Sequence, residues 1–108
     1  MIEVLFQKKA EGYIGFNCLG HAGFADAGED IVCAGVSALV INTVNSLDAF
    51  TEEKFKLVTN EEDGLISVSY DRIPGHDAQL LLKSLVMGLQ ELQKSNGDEY
   101  IHIQFEEV

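Results

Sequence analysis

The chain has 108 residues, the length of one domain. It is 46% apolar, which excludes a disordered chain, and it carries 18 acidic residues against 7 basic ones, for a net charge of -11. That balance repels phosphate backbones and excludes direct nucleic-acid binding as a function class, whereas it would draw in a basic partner; an acidic surface also serves simply to keep a small protein soluble.

Residues 2–8 alternate, with Ile2, Val4 and Phe6 on one side and Glu3, Leu5 and Gln7 on the other, the pattern of a strand with one buried face. Glu11-Gly12 marks a turn, in a loop read as longer than a tight two-residue one, and residues 13–19 form a second strand with Ile14, Phe16 and Cys18 on one side. Residues 20–28 are small, acidic and punctuated by Gly20, Gly23 and Gly28, a loop able to close over a site. Asp30 suits an N-cap, and with Glu29 it suits the positive end of a helix dipole, so a helix is expected from there to about Phe50. Its apolar residues cover most of the circumference, more than one sheet can bury, and this predicts a homodimer.

Residues 54–60 and 65–71 read as two strands joined through Asp63-Gly64, a hairpin signal. A second helix is expected over 77–95. Leu81, Leu82, Leu85, Val86, Leu89 and Leu92 form its buried stripe, and Gln79, Lys83, Gln90, Glu91 and Lys94 its wet side. Asn96-Gly97 stops it, and residues 100–106 form a last strand with Ile101, Ile103 and Phe105 facing in. The order ββαββαβ predicts a single α+β domain over 1–108: a two-layer sandwich with a mixed, mostly antiparallel sheet and both helices on one face. No stretch is read as apolar and charge-free enough to span a bilayer, and no secretion signal is expected, since no basic region followed by an apolar run is read near Met1. Two cysteines make no disulfide framework, so reduced thiols in the cytoplasm are expected.

The chemistry converges on Cys33 and His21. With Asp30 as cap, Cys33 would be the third helical residue, where unpaired amides and the dipole favour thiolate, while the Asp30 carboxylate opposes it. A lone cysteine is otherwise a small buried hydrophobe. His21, at the exit of the second strand, is placed to take the thiol proton and return it to a leaving amine; alone it could equally be a polar residue bonded to backbone. Ser37, one turn beyond Cys33, either bonds imidazole or substrate or merely permits close packing. Asp30 either orients His21 or caps the helix, or both. Cys18 reads as core, His102 as sheet surface and His76 as a solvated loop residue. His21, Asp26, Asp30 and Cys33 lack the paired short spacings of a zinc site, and no phosphate-binding glycine pattern occurs, so neither metal nor cofactor is expected.

The run Gly20-His21-Ala22, an acidic glycine-bearing loop, then Asp30-Ile31-Val32-Cys33-Ala34-Gly35-Val36-Ser37-Ala38 resembles the signature of the ribosomal-processing cysteine protease Prp family. The resemblance extends over the whole chain, including Asp77-Ala78-Gln79-Leu80-Leu81. It implies a cytoplasmic homodimeric endopeptidase that removes the N-terminal extension of the large-subunit ribosomal protein bL27 after an aromatic residue, a step in ribosome assembly. It further implies Cys33 as nucleophile, His21 as general base, Asp30 and Ser37 in support, and a mobile loop between histidine and cysteine. The amides of Val32 and Cys33 are candidate oxyanion donors. Two other readings stand beside the protease: a non-catalytic acidic adaptor dimer that binds a basic ribosomal protein, and a redox sensor built on Cys33.

Overall fold

The computed structural model describes residues 1–20 and 27–108, the first four of the second stretch by backbone alone. The elements follow as β1 (Ile2–Lys9), β2 (Gly12–Leu19), α1 (Ala27–Phe50), β3 (Lys56–Asn60), β4 (Leu65–Ser69), α2 (His76–Asn96) and β5 (Ile101–Glu107). The five strands form one sheet in the order β3-β4-β2-β1-β5. Every pairing is antiparallel except the outer one between β1 and β5, which is parallel because α2 lies in the connection leading to β5.

Period-2 alternation sends one side of the sheet inward. Phe6 pairs with Phe16 and Phe16 with Val68, while Val4 pairs with Cys18 and Ile103. These side chains meet Val32, Val36, Val40 and Leu47 of α1 and Ala78, Leu82, Leu85 and Leu89 of α2 in a single core. Phe105 stacks on Phe6, with ring centroids 5.7 Å apart, yet stays 45% exposed because β5 is an edge strand. The opposite side of the sheet is more polar; there Ser67 donates to its cross-strand partner Asn17. The helices touch closely at Gly35, where a β-carbon would press on Leu92. Gly97 ends α2 at φ 91 and donates its N–H to the Gln93 carbonyl, as the Asn-Gly stop predicts.

Several local expectations change. The register pairs Lys9 with Gly12, so the first hairpin turns on Ala10 and Glu11 alone, with Ala10 at φ 54 and an irregularity in the ladder at Gln7/Lys8. It is thus a tight turn, and the bulge absorbs the slack that reads as extra loop. Helix α1 begins at Ala27, three residues before Asp30, so Asp30 sits inside the first turn rather than at the cap, and Gly28 belongs to the helix rather than to a loop. Asp30 and Glu29 still fall where a carboxylate suits the dipole, which is why the cap signal appears displaced. His76 is the first residue of α2, though exposed as expected. Gln79 leaves the wet side of α2: its amide accepts from the Tyr13 N–H at 2.8 Å and donates to the Tyr13 carbonyl at 2.7 Å. Finally, residues 31–50 do form a helix long and apolar enough to cross a membrane by length and composition, with Asp48 its only charge. In this fold its Val32, Val36, Val40 and Leu47 stripe packs into the core instead.

Candidate active site

Cys33 falls on α1 one residue from the buried Val32 and three from the buried Val36, so helical spacing turns it toward the edge of the core, half-buried. It opens onto a cleft of about 410 Å³. One wall is α1, through Val36, Ser37, Val40 and Ile41; the other is the β3–β4 hairpin, through Thr59, Asn60, Glu61, Leu65 and Ile66; Ile2, Cys18 and Gly20 add the strand ends. Most of this lining is hydrocarbon, with Ser37, Thr59, Asn60 and Glu61 as its polar side chains, a surface suited to an apolar side chain carried on a peptide.

The two cysteines share the cleft but differ in character. Cys18 is 5% exposed, in line with its reading as core. Burial, and secondarily the proximity of Cys33, push its thiol up to about 11, so it stays protonated and inert at neutral pH. Neither cysteine is half of a disulfide. Ser37 lines the same cleft one turn from Cys33, so these two expected site residues are brought together. Gly20 also reaches the cleft, its N–H donating to the Gly64 carbonyl at 3.1 Å. His21, Gly23 and Asp26 lie outside the described residues, as does the side chain of Asp30; so does most of the loop expected to move. Among the described residues no cluster of His, Cys, Asp or Glu could hold a metal ion.

The earlier start of α1 alters one expectation. Cys33 is the seventh helical residue, and the amides of Val32 and Cys33 lie beyond the first four, the only ones without an intrahelical acceptor. They are engaged in the helix and do not serve as oxyanion donors. The hairpin wall carries no signal in the sequence that ties it to Cys33. Asp63-Gly64 was legible as a turn, but only the sheet order, which sets β4 beside β2, brings that turn to the strand exit ahead of His21.

A two-layer α+β domain with a cysteine on its first helix, open to an apolar cleft, defines a cysteine protease class when set beside known proteins. The chain belongs to the family described as cysteine protease Prp, whose family model matches residues 1–102. A ribosomal processing cysteine protease Prp of Bacillus subtilis is 29% identical over 103 residues, covering 91% of this chain and 92% of that one. A Staphylococcus aureus protein of the same name is 31% identical over 79 residues, 73% of this chain and 74% of its own. The crystal structure of the S. aureus protease Prp in complex with a substrate peptide superposes with a TM-score of 0.90 at 25% identity, covering 98% of this chain and 100% of that one. The chain is therefore a cysteine protease of the ribosomal-processing type.

Proposed function

We propose that the chain is a cytoplasmic endopeptidase that removes the N-terminal extension of the ribosomal protein bL27, cutting after an aromatic residue. The observation that carries this reading is the position of Cys33 at the mouth of an apolar cleft wide enough for a side chain of that size. The S. aureus structure named for its substrate peptide supports the same mode of use.

In this reading His21 takes the Cys33 proton and the thiolate attacks the carbonyl carbon after the aromatic residue. The peptide C–N bond breaks as imidazolium gives its proton to the leaving amine, and water then hydrolyses the thioester. Ser37 is placed to contact the substrate chain from one turn along α1, and Asp30 acts from the first turn of the helix. The enzyme works as a homodimer. An exposed stripe of Ile31, Ala34, Ala38 and Ile41 at helical spacing runs along α1 beside the cleft and supports that assembly.

Mass spectrometry of the extended bL27 substrate mixed with the protein tests the proposal, with Cys33→Ala and Cys33→Ser alongside. One cut after an aromatic residue, lost in both variants, is the expected result. Binding without cleavage by the wild type overturns it in favour of the acidic adaptor.

A further inference from the structure

The turn between β3 and β4 is tied by side-chain and backbone hydrogen bonds. The Asn60 side-chain oxygen accepts from the N–H groups of Glu62 at 3.0 Å and Asp63 at 3.3 Å. The Gly64 N–H closes the turn on the Glu61 carbonyl at 3.3 Å. Gly64 itself stands at φ 65, a conformation that glycine adopts without the steric cost a side chain brings. In that conformation its carbonyl accepts from Gly20 N–H at 3.1 Å. The two backbones are so close that a β-carbon on Gly64 would collide with the Gly20 carbonyl oxygen. Both glycines line the same cleft as Cys33.

Gly20 is the residue bonded to His21 in the chain. We propose that the turn is a positioning device for catalysis: Asn60 pre-forms it, and Gly64 clamps the exit of β2, fixing where the chain leaves the sheet into the histidine. Gly64 is thus a positioning residue, acting through Gly20 and never touching substrate chemistry itself. This inference rests on the reading of His21 as general base. The clamp ties the cleft's far wall to Gly20, the residue that precedes the base in the chain. Where the chain leaves the sheet matters for rate, since misplacement of a catalytic group by about 1 Å can cost on the order of a hundredfold.

The test compares Gly64→Ala with Gly97→Ala. Both place a β-carbon on a positive-φ backbone, but Gly97 caps α2 and its β-carbon would meet only the Glu99 carboxylate at 3.9 Å. Two readouts are taken on the full chain: kcat and KM for cleavage, and the rate of Cys33 alkylation by iodoacetamide across pH. Gly64→Ala is expected to lower kcat at least tenfold and to move the alkylation profile toward that of His21→Ala; Gly97→Ala should move neither. In a His21→Ala background, Gly64→Ala should shift the profile no further. A folded Gly64→Ala with wild-type kcat and alkylation profile overturns the inference, as does an equal shift when His21 is already absent. If Gly64→Ala does not fold, Asn60→Ala decides: it loosens the turn without filling space, should displace both readouts in the same direction by a smaller factor, and overturns the inference if it leaves them unchanged. A wild type that alkylates with a His21-dependent profile but cuts nothing defeats the protease reading, while the alkylation comparison still judges the clamp.

Discussion

Two buried acids set how this protein meets alkali. Burial, with a smaller contribution from Cys33, raises the Cys18 thiol from the usual 9 to about 11. Burial, then the Glu53 carboxylate, raises the Tyr70 phenol from 10 to about 12. In both cases folding favours the neutral form, so the unfolded chain loses its proton first as pH climbs. The stabilisation is complete below about pH 9 and is lost through the window from about 9 to 12. Stability measured by urea denaturation should therefore fall across that window, and Cys18→Val should flatten its lower part; a slope unchanged by the substitution would contradict the assignment. The same protonation predicts selectivity between the thiols. Peptide mapping after iodoacetamide at neutral pH should find Cys33 modified and Cys18 modified only in denaturant. Tyr70 carries a second consequence. Its hydroxyl is buried and finds no hydrogen-bond partner among the described residues. Tyr70→Phe removes a desolvated group and breaks no bond, so it should raise stability by on the order of 1 kcal/mol in the same urea assay rather than lower it.

Helix α2 is held to the sheet by two glutamine amides as well as by its leucines: Gln93 donates to the Ile101 carbonyl of β5 at 3.0 Å, and Gln79 bonds Tyr13 of β2. Gln79 satisfies both backbone groups of Tyr13, just past the first hairpin, where the bulge at Gln7/Lys8 disturbs the ladder with β1. Gln79→Leu keeps the volume but strands a donor and an acceptor, a loss of about 1–3 kcal/mol. For a domain of this size that is a drop of roughly 4–8 °C in Tm for each kcal/mol, readable by calorimetry. A neutral substitution would show that water replaces the amide. This contact also marks where sequence reading stops. Ile2, Val4, Phe6, Leu82, Leu85 and Leu89 announce their burial, because periodicity reports which way a side chain faces. Gln79 reads as solvent-facing because polarity predicts exposure, and nothing in the order of residues says that a β-bulge will need its amide. Asp30 misleads for a related reason: a carboxylate suits the positive end of a helix anywhere in the first turn, so its presence does not fix the first residue, and α1 starts three residues earlier at Ala27. Cys33, Ser37 and Gly20 were legible as neighbours along the chain; the hairpin wall that completes their cleft was not, since it depends on a strand pairing far apart in sequence.

At the scale of the molecule, the assembly and the charge make separate claims. The stripe of Ile31, Ala34, Ala38 and Ile41 predicts that Ala38→Glu, which sets a carboxylate in the middle of the proposed dimer contact, yields a monomer in sedimentation without unfolding the chain; an unchanged sedimentation coefficient would place the contact elsewhere. The net charge of -11 bears instead on capture. A ribosomal extension rich in Lys and Arg would approach down a potential that acts over a Debye length, about 30 Å at 0.01 M ionic strength and about 10 Å at 0.1 M. Long-range attraction of this kind speeds encounter and leaves the later chemistry alone. Raising salt across that range should therefore lower kcat/KM several-fold while kcat at saturating substrate stays constant, because thiolate attack in a cleft walled by α1 and the hairpin is shielded from the bulk ions. The decline should shrink when basic residues of the substrate are replaced, since the effect requires charge on both partners. A kcat/KM flat with ionic strength would mean that the apolar cleft alone selects the substrate and that the acidic surface serves solubility. A fall in kcat instead would locate the salt sensitivity in the proton transfer between His21 and Cys33.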